Sequence, residues 1–189
     1  MRPADADNVA ALIRAAFSAQ PVALDPTPSA LRVAPGDVAA HLARAGCGGA
    51  VVERDGRVVG CVLWEREREG LHVSHLAVAP DWRRGGLGRA LLGAAEAAAR
   101  AAGLEWLRLG TRLALSGNRL LFTTSGFVET ARARALRHWR QKACARRSRK
   151  PWFLIWLGSR VRSGRRRAGN PLKTVLDCPF SKYHARNGF

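Results

Sequence analysis

Leu76-Ala77-Val78-Ala79-Pro80-Asp81-Trp82-Arg83-Arg84-Gly85-Gly86-Leu87-Gly88-Arg89 reads as a strand, a glycine-rich turn and the opening of a helix. Glycines let the backbone approach a ligand closely, and the first helical turn offers unpaired N–H groups and a positive dipole end. Arg83, Arg84 and Arg89 add charge-assisted donors. The segment therefore predicts a diphosphate site, against the plainer reading of a surface loop with solvated arginines. Two phosphate motifs fail on these residues. A Walker loop needs Gly-Lys-Ser/Thr, and the first lysine is Lys142. A dinucleotide fingerprint starting at Gly86-Leu87-Gly88 needs Gly or Ala where Leu91 stands, and Glu105 begins the next strand instead of ending it.

Downstream, Gly86 to Ala102 is rich in Ala and Leu and predicts a helix closed by Gly103. Trp106 to Gly110 reads as a strand. Ser116 is expected to cap a short helix ending at Gly126, and Phe127 to Thr130 begins another strand. Upstream, Leu71 to Val78 is a strand ended by Pro80. Ala50 to Glu53 and Arg57 to Glu65 are strands around Asp55-Gly56, a two-residue hairpin signal. Asp7 is expected to cap a first helix to Ser18, with Val9, Leu12, Ile13 and Ala16 on its apolar face. A loop with Pro21, Pro26 and Pro28 leads to a second helix from about Pro35, presenting Val38, Leu42 and Ala45 before Gly46. The order ααβββαβαβ predicts an α/β (α+β) fold, a mixed central sheet with helices on both faces.

Arg83-Arg84-Gly85-Gly86-Leu87-Gly88 resembles the Arg/Gln-x-x-Gly-x-Gly/Ala signature of the GCN5-related N-acetyltransferases (GNAT). The preceding Leu-Ala-Val-x-Pro and the later Asn118, Phe122 and Gly126-Phe127 stand where that family places them, so the resemblance covers roughly residues 2–130. It implies a CoA-dependent acyltransferase moving an acetyl group from acetyl-CoA to a primary amine, with no metal. Backbone amides of residues 84–89 would cradle the pyrophosphate. The strand Leu76, Ala77, Val78 would pair with the pantetheine arm, and Asn118 would contact the cofactor. Direct attack by the amine needs mainly positioning, a carbonyl-polarising amide and proton transfer. The rival is a non-catalytic acyl-CoA-binding or nucleic-acid-binding protein on the same fold.

The resemblance puts a general base four residues before Leu76, at His72. Uninterrupted strand alternation places His72 and Ser74 on one face and His75 on the other, barring a bulge. Glu65, Glu67 and Glu69 are alternatives acting through water. Many family members place a Tyr where Phe122 stands, and Phe122 has no proton to give the leaving thiolate. Water or Ser125 would have to serve. The family also begins with a strand before the first helix, and Met1-Arg2-Pro3 leaves almost none of it.

The net charge of +18 is carried unevenly. Residues 1–130, read as the acetyl-CoA-binding domain, hold 15 arginines against 13 acids. Residues 131–189, an atypical C-terminal extension, hold 17 basic residues and one acid, Asp177. A nucleic-acid partner is thus expected only through that segment, with Trp139, Trp152, Phe153 and Trp156 available to stack on bases. A solvated extension and a shifted reading frame are the other two readings, the last preferred. Trp152 to Leu157 could serve as a delayed final strand. Cys47, Cys61, Cys144 and Cys178 lack zinc or redox spacing and are expected as free thiols. Asp5 and Asp7 stand where a signal peptide needs its apolar core, and no apolar run reaches the roughly 20 residues of a membrane span. A cytoplasmic monomer or homodimer is expected, acting on a small molecule ahead of a peptide N-terminus or lysine.

Overall fold

The computed structural model describes residues 1–68, 70–134 and 153–160, the last eight and residues 130–134 by backbone alone. Four helices, α1 (Ala6–Ser18), α2 (Pro35–Ala43), α3 (Leu87–Ala101) and α4 (Ser116–Thr124), surround six strands. These are β1 (Cys47–Arg54), β2 (Arg57–Arg66), β3 (Gly70–Val78), β4 (Trp106–Arg112), β5 (Val128–Arg134) and β6 (Phe153–Arg160). They form one sheet in the order β1-β2-β3-β4-β6-β5. Only β3 and β4 run parallel, with α3 as their crossover. The mixed sheet with helices on both faces is as expected.

The expected elements are present, with shifted ends. Asp55 and Gly56 both take positive φ, +50° and +72°, as a two-residue type I′ hairpin requires. β1 starts at Cys47, ahead of the expected Ala50, so two glycines lie in a strand. A Cβ on Gly48 would stand 2.8 Å from Trp64 Nε1, so the bare backbone is what admits the indole. α1 starts at Ala6, before Asp7, and Asp5 Oδ2 instead accepts the Arg2 N–H at 2.6 Å in a 3₁₀ turn. Ser116 is the first residue inside α4 and makes no cap bond. α2 stops at Ala43, short of Ala45. The readings of residues 135–152 and 161–189 lie outside the described residues.

Two apolar clusters sandwich the sheet. On one face Leu91, Leu92, Ala95, Ala98 and Ala99 of α3 meet Leu71, Val73, Leu107 and Leu109, with Phe122 and Phe127 closing the end. Gly60 of β2 gives Leu91 of α3 its room: a Cβ there would stand 3.1 Å from Leu91 Cδ1. On the other face Val9, Leu12, Ile13 and Ala16 of α1 cover Val51, Cys61, Leu63 and Ala77. Burial of each Leu, Ile or Val contributes about 1.5–3 kcal/mol, so these two layers hold the sheet between them. The apolar period of α1 was legible in advance, and all four of its expected residues are buried.

Candidate active site

The site is built where two neighbouring strands part. β3 pairs with β4 from Gly70–Trp106 to Val73–Leu109, and the register ends there. β4 continues to Arg112 against β6, which carries it away from β3. At the same point β3 bulges: Leu63 pairs with His75 and Trp64 with Val73, so Ser74 is the extra residue. The bulge reverses the side-chain parity. Before it Leu71 and Val73 face the α3 cluster; after it Leu76 and Val78 do, while Ala77 faces α1. His72 and His75 therefore share the α1–α2 face, and the expectation from uninterrupted alternation is corrected.

Beyond this parting, a cleft of about 610 Å³ lies between the end of β3 and the glycine turn. Leu76, Ala77 and Val78 form its strand wall, and Arg83, Arg84, Gly86, Leu87, Gly88 and Arg89 its turn. Asn118, Leu121 and Phe122 of α4 line the opposite side. Of the residues expected to bind a cofactor, only Gly85 lies outside this lining. Arg84 and Gly86 adopt φ of +66° and +79°, which re-aim the chain into α3. The first donor inside the helix is Ala90 N–H, to Gly86 O at 3.1 Å. The N–H groups of Leu87, Gly88 and Arg89 consequently have no carbonyl within the helix, and they sit at its positive end.

The three arginines differ in what they do. Arg83 donates to Ala16 O at 2.8 Å, Ala19 O at 3.0 Å and Val78 O at 3.4 Å, so all its nitrogens meet main-chain carbonyls. Arg89 reaches Thr124 Oγ1 at 3.5 Å on α4. Arg84 is exposed, on the rim of the cleft.

His72 lies outside the cleft lining, one residue before the strands part, with its side chain 21% exposed. Its Nδ1 is 3.2 Å from Glu65 Oε1, and Glu65 Oε2 is 3.5 Å from Arg44 Nη2. The same Arg44 nitrogen is 3.2 Å from His41 Nδ1, while His41 Nε2 meets Trp64 O at 3.0 Å and Gly48 O at 3.3 Å. Burial lowers the His41 pKa, with the Gly48 carbonyl opposing it. Burial also lowers that of His75, followed by the charges of His41 and His72. His75 lies edge-on to Phe17 of α1, centroids 6.4 Å apart. Glu67 pairs with Arg108 at 3.7 Å. Glu69 lies outside the described residues.

Phe122 is buried against Phe127, centroids 6.1 Å apart, and lines the cleft without a proton to donate. Ser125 Oγ donates to Leu121 O at 2.7 Å. Two residues went unnoticed in the sequence. Gln20 lines the cleft, and its Oε1 is buried with no hydrogen-bond partner among the described residues. Arg112, at the end of β4, has its pKa lowered by burial, with Asp25 of the Pro-rich loop opposing. The signal for Gln20 was its place in the Pro-rich loop 19–34, the segment expected to border the substrate pocket. Cys61 is fully buried, which pushes its thiol up to about 12 and removes it as a nucleophile.

Residues 45–129 match the family model described as the acetyltransferase (GNAT) domain. No curated protein matches the sequence. Among solved structures, the ribosomal-protein-S18-alanine N-acetyltransferase of Escherichia coli is 16% identical, with a TM-score of 0.63 over 90% of this chain and 96% of its own. The ribosomal-protein-alanine N-acetyltransferase of Brucella melitensis is 20% identical, with a TM-score of 0.64 over 85% of this chain and 96% of its own. The PaiA N-acetyltransferase of Thermoplasma acidophilum, solved with coenzyme A, is 13% identical, with a TM-score of 0.66 over 85% and 95%. At these identities the likeness is one of fold. The family match and the fold agree: residues 45–129 match the GNAT acetyltransferase domain, and the chain folds as these acetyltransferases do.

Proposed function

We propose that this chain transfers the acetyl group of acetyl-CoA to a primary amine by direct attack in a ternary complex. The observation that carries this reading is the cleft between the end of β3, Leu76 to Val78, and the N-terminus of α3, beyond the point where β3 stops pairing with β4. The residues present fit acetyl-CoA. A Cβ on Gly86 would meet nothing within 4 Å, so the turn is open to a ligand, and Gln20 Oε1 awaits a donor. The N–H groups of the 84–89 turn, with Arg84 and Arg89, would hold the pyrophosphate. Leu76, Ala77 and Val78 would pair with the pantetheine arm, and Asn118 would contact it from α4.

Acetyl-CoA supplies the activated acyl group as a thioester. His72 takes the proton from the ammonium group of the acceptor, leaving the amine lone pair to attack the carbonyl carbon. The C–N bond forms as the C–S bond breaks, and a main-chain N–H beside the bulge polarises the carbonyl. With Phe122 and Ser125 as placed, the thiolate takes its proton from water. The acceptor is a small-molecule amine ahead of a peptide; peptides with N-terminal alanine belong in the same panel, because two fold relatives are named for that acceptor.

A second reading, an acyl-CoA-binding protein without turnover, is favoured by Phe122. Thermal shift with acetyl-CoA and release of free CoA thiol across an amine panel separate the two. Stabilisation with thiol release supports the transferase, and stabilisation without release supports the binding protein. No stabilisation, with none lost in Gly86→Glu, sinks both.

A further inference from the structure

The polar face beneath α2 contains a connected set of groups that the binding cleft does not use. Glu65 on β2, His72 on β3 and Arg108 on β4 stand in register across three adjacent strands. Glu65 bridges this row to the segment after α2: one carboxylate oxygen meets His72 Nδ1 at 3.2 Å and the other meets Arg44 Nη2 at 3.5 Å. Arg44 in turn touches His41, whose Nε2 is anchored on the Trp64 and Gly48 carbonyls. Arg108 is drawn to Glu67 at 3.7 Å, so the carboxylate beside His72 is Glu65. His75, on β3 itself, is a further ionisable neighbour on this face.

We propose that Glu65 is a positioning residue that holds neutral His72 in the tautomer protonated on Nδ1. A carboxylate at hydrogen-bond distance can only accept, so the Nδ1 it faces must carry the hydrogen. In a neutral imidazole the lone pair then lies on Nε2, the nitrogen a proton-accepting role requires. Arg44, the residue just past α2, holds the other carboxylate oxygen. The inference deepens the reading of His72 as base and rests on it for its purpose. The tautomer itself is a property of the protein without substrate, so the two can fail separately.

The test is ¹⁵N NMR of the full chain labelled at histidine, above the pH where imidazole is neutral, with His72 assigned through His72→Gln. The expected spectrum shows a protonated Nδ1 and an unprotonated Nε2 for His72. Glu65→Leu is expected to move the hydrogen to Nε2, while acetyl-CoA thermal stabilisation stays unchanged. Should Glu65→Leu not fold, Glu65→Gln serves, since its amide can donate to Nδ1 as well as accept; a mixture of tautomers is expected. A His72 already protonated on Nε2 in the unaltered chain overturns the proposal, as does an unshifted Nδ1–H signal in the folded variant. Turnover is read alongside: a tautomer change with unaltered turnover supports the positioning role and removes His72 as base.

Discussion

Arg83 Nη2 donates to the carbonyl oxygen of Ala16 at 2.8 Å, joining the glycine turn to the last turn of α1, 67 residues away in sequence. The carbonyls at a helix C-terminus lack partners within the helix and form the negative end of its dipole. One planar guanidinium meets two of them, at Ala16 and Ala19, and the end of β3 at Val78. The turn that faces the cleft is thereby tied to the helix that precedes the Pro-rich loop. Arg83 shapes the cleft through main-chain contacts, and Arg84 and Arg89 line it beside Arg83.

Arg83→Ala should therefore act on stability as well as binding. Loss of its hydrogen bonds is expected to cost about 1–2 kcal/mol at this exposed position, or a Tm drop of about 2–8 °C in a chain of this size. Arg83→Lys should not recover it, because a single ammonium cannot span three carbonyls. Calorimetry of both variants is the check, and full recovery by Lys would refute the bridging role.

Gly86 is the position where the backbone itself makes the site. At φ +79° a substituted L residue is strained by roughly 1–2 kcal/mol. Gly86→Glu adds a carboxylate facing a diphosphate, so acetyl-CoA stabilisation should vanish. Gly86→Asn tolerates the left-handed region better and should keep the fold, with weakened binding. Titrating acetyl-CoA by thermal shift separates the backbone effect from the charge effect.

Phe122→Tyr places a phenol, which can donate a proton, where the native ring has none. Phe122 both lines the cleft and packs on Phe127, so a hydroxyl added at the ring edge can face the cleft. Single-turnover CoA release is expected to rise several-fold, within the roughly 10²–10⁴-fold range of acid–base assistance. An unchanged rate in a variant that still binds acetyl-CoA would mean that thiolate protonation does not limit turnover.

Stability should fall on acidification. His75 and His41 are held below their ordinary value of 6.5 by burial, so the unfolded chain takes up protons first as the pH drops. The stability they provide is complete above about 6.5 and is lost as the pH falls through that value toward their folded values. Tm measured from pH 8 to 5 should decline on the acid side, and His75→Gln should flatten the curve. An unaltered curve in the variant would remove His75 from the account.

β6 should prove essential to folding. Leu157 pairs with Leu109 of β4 on one side and Glu129 of β5 on the other, so this strand is interior to the sheet. Leu157→Pro removes an N–H from an interior strand and inserts a ring into the ladder, which central strands do not tolerate. Little soluble, folded protein is expected. A variant that retains the Tm and acetyl-CoA response of the unaltered chain would show that residues 153–160 are dispensable.

Local chemistry made much of this protein readable in advance. The hairpin at Asp55-Gly56, the apolar period of α1, the alanine face of α3 and the glycine turn each need only a few adjacent residues. The resemblance drawn from Arg83 to Gly88 and from Asn118 to Phe127 located the family, and the cleft gathers all but Gly85 of the expected binding residues. Non-local features were not readable. The Ser74 bulge, which turns His75 to the same face as His72, arises from how β2 and β3 register against one another. The bonds of Arg83 reach carbonyls 67 and 64 residues away, and those of Glu65 join Arg44, just past α2, to His72 of β3. Period and turn preference are properties of neighbouring residues, so the sequence alone determined the elements and the glycine turn. Strand parting, side-chain parity and the partners of each charge depend on which distant segments meet, and only the tertiary structure decided them.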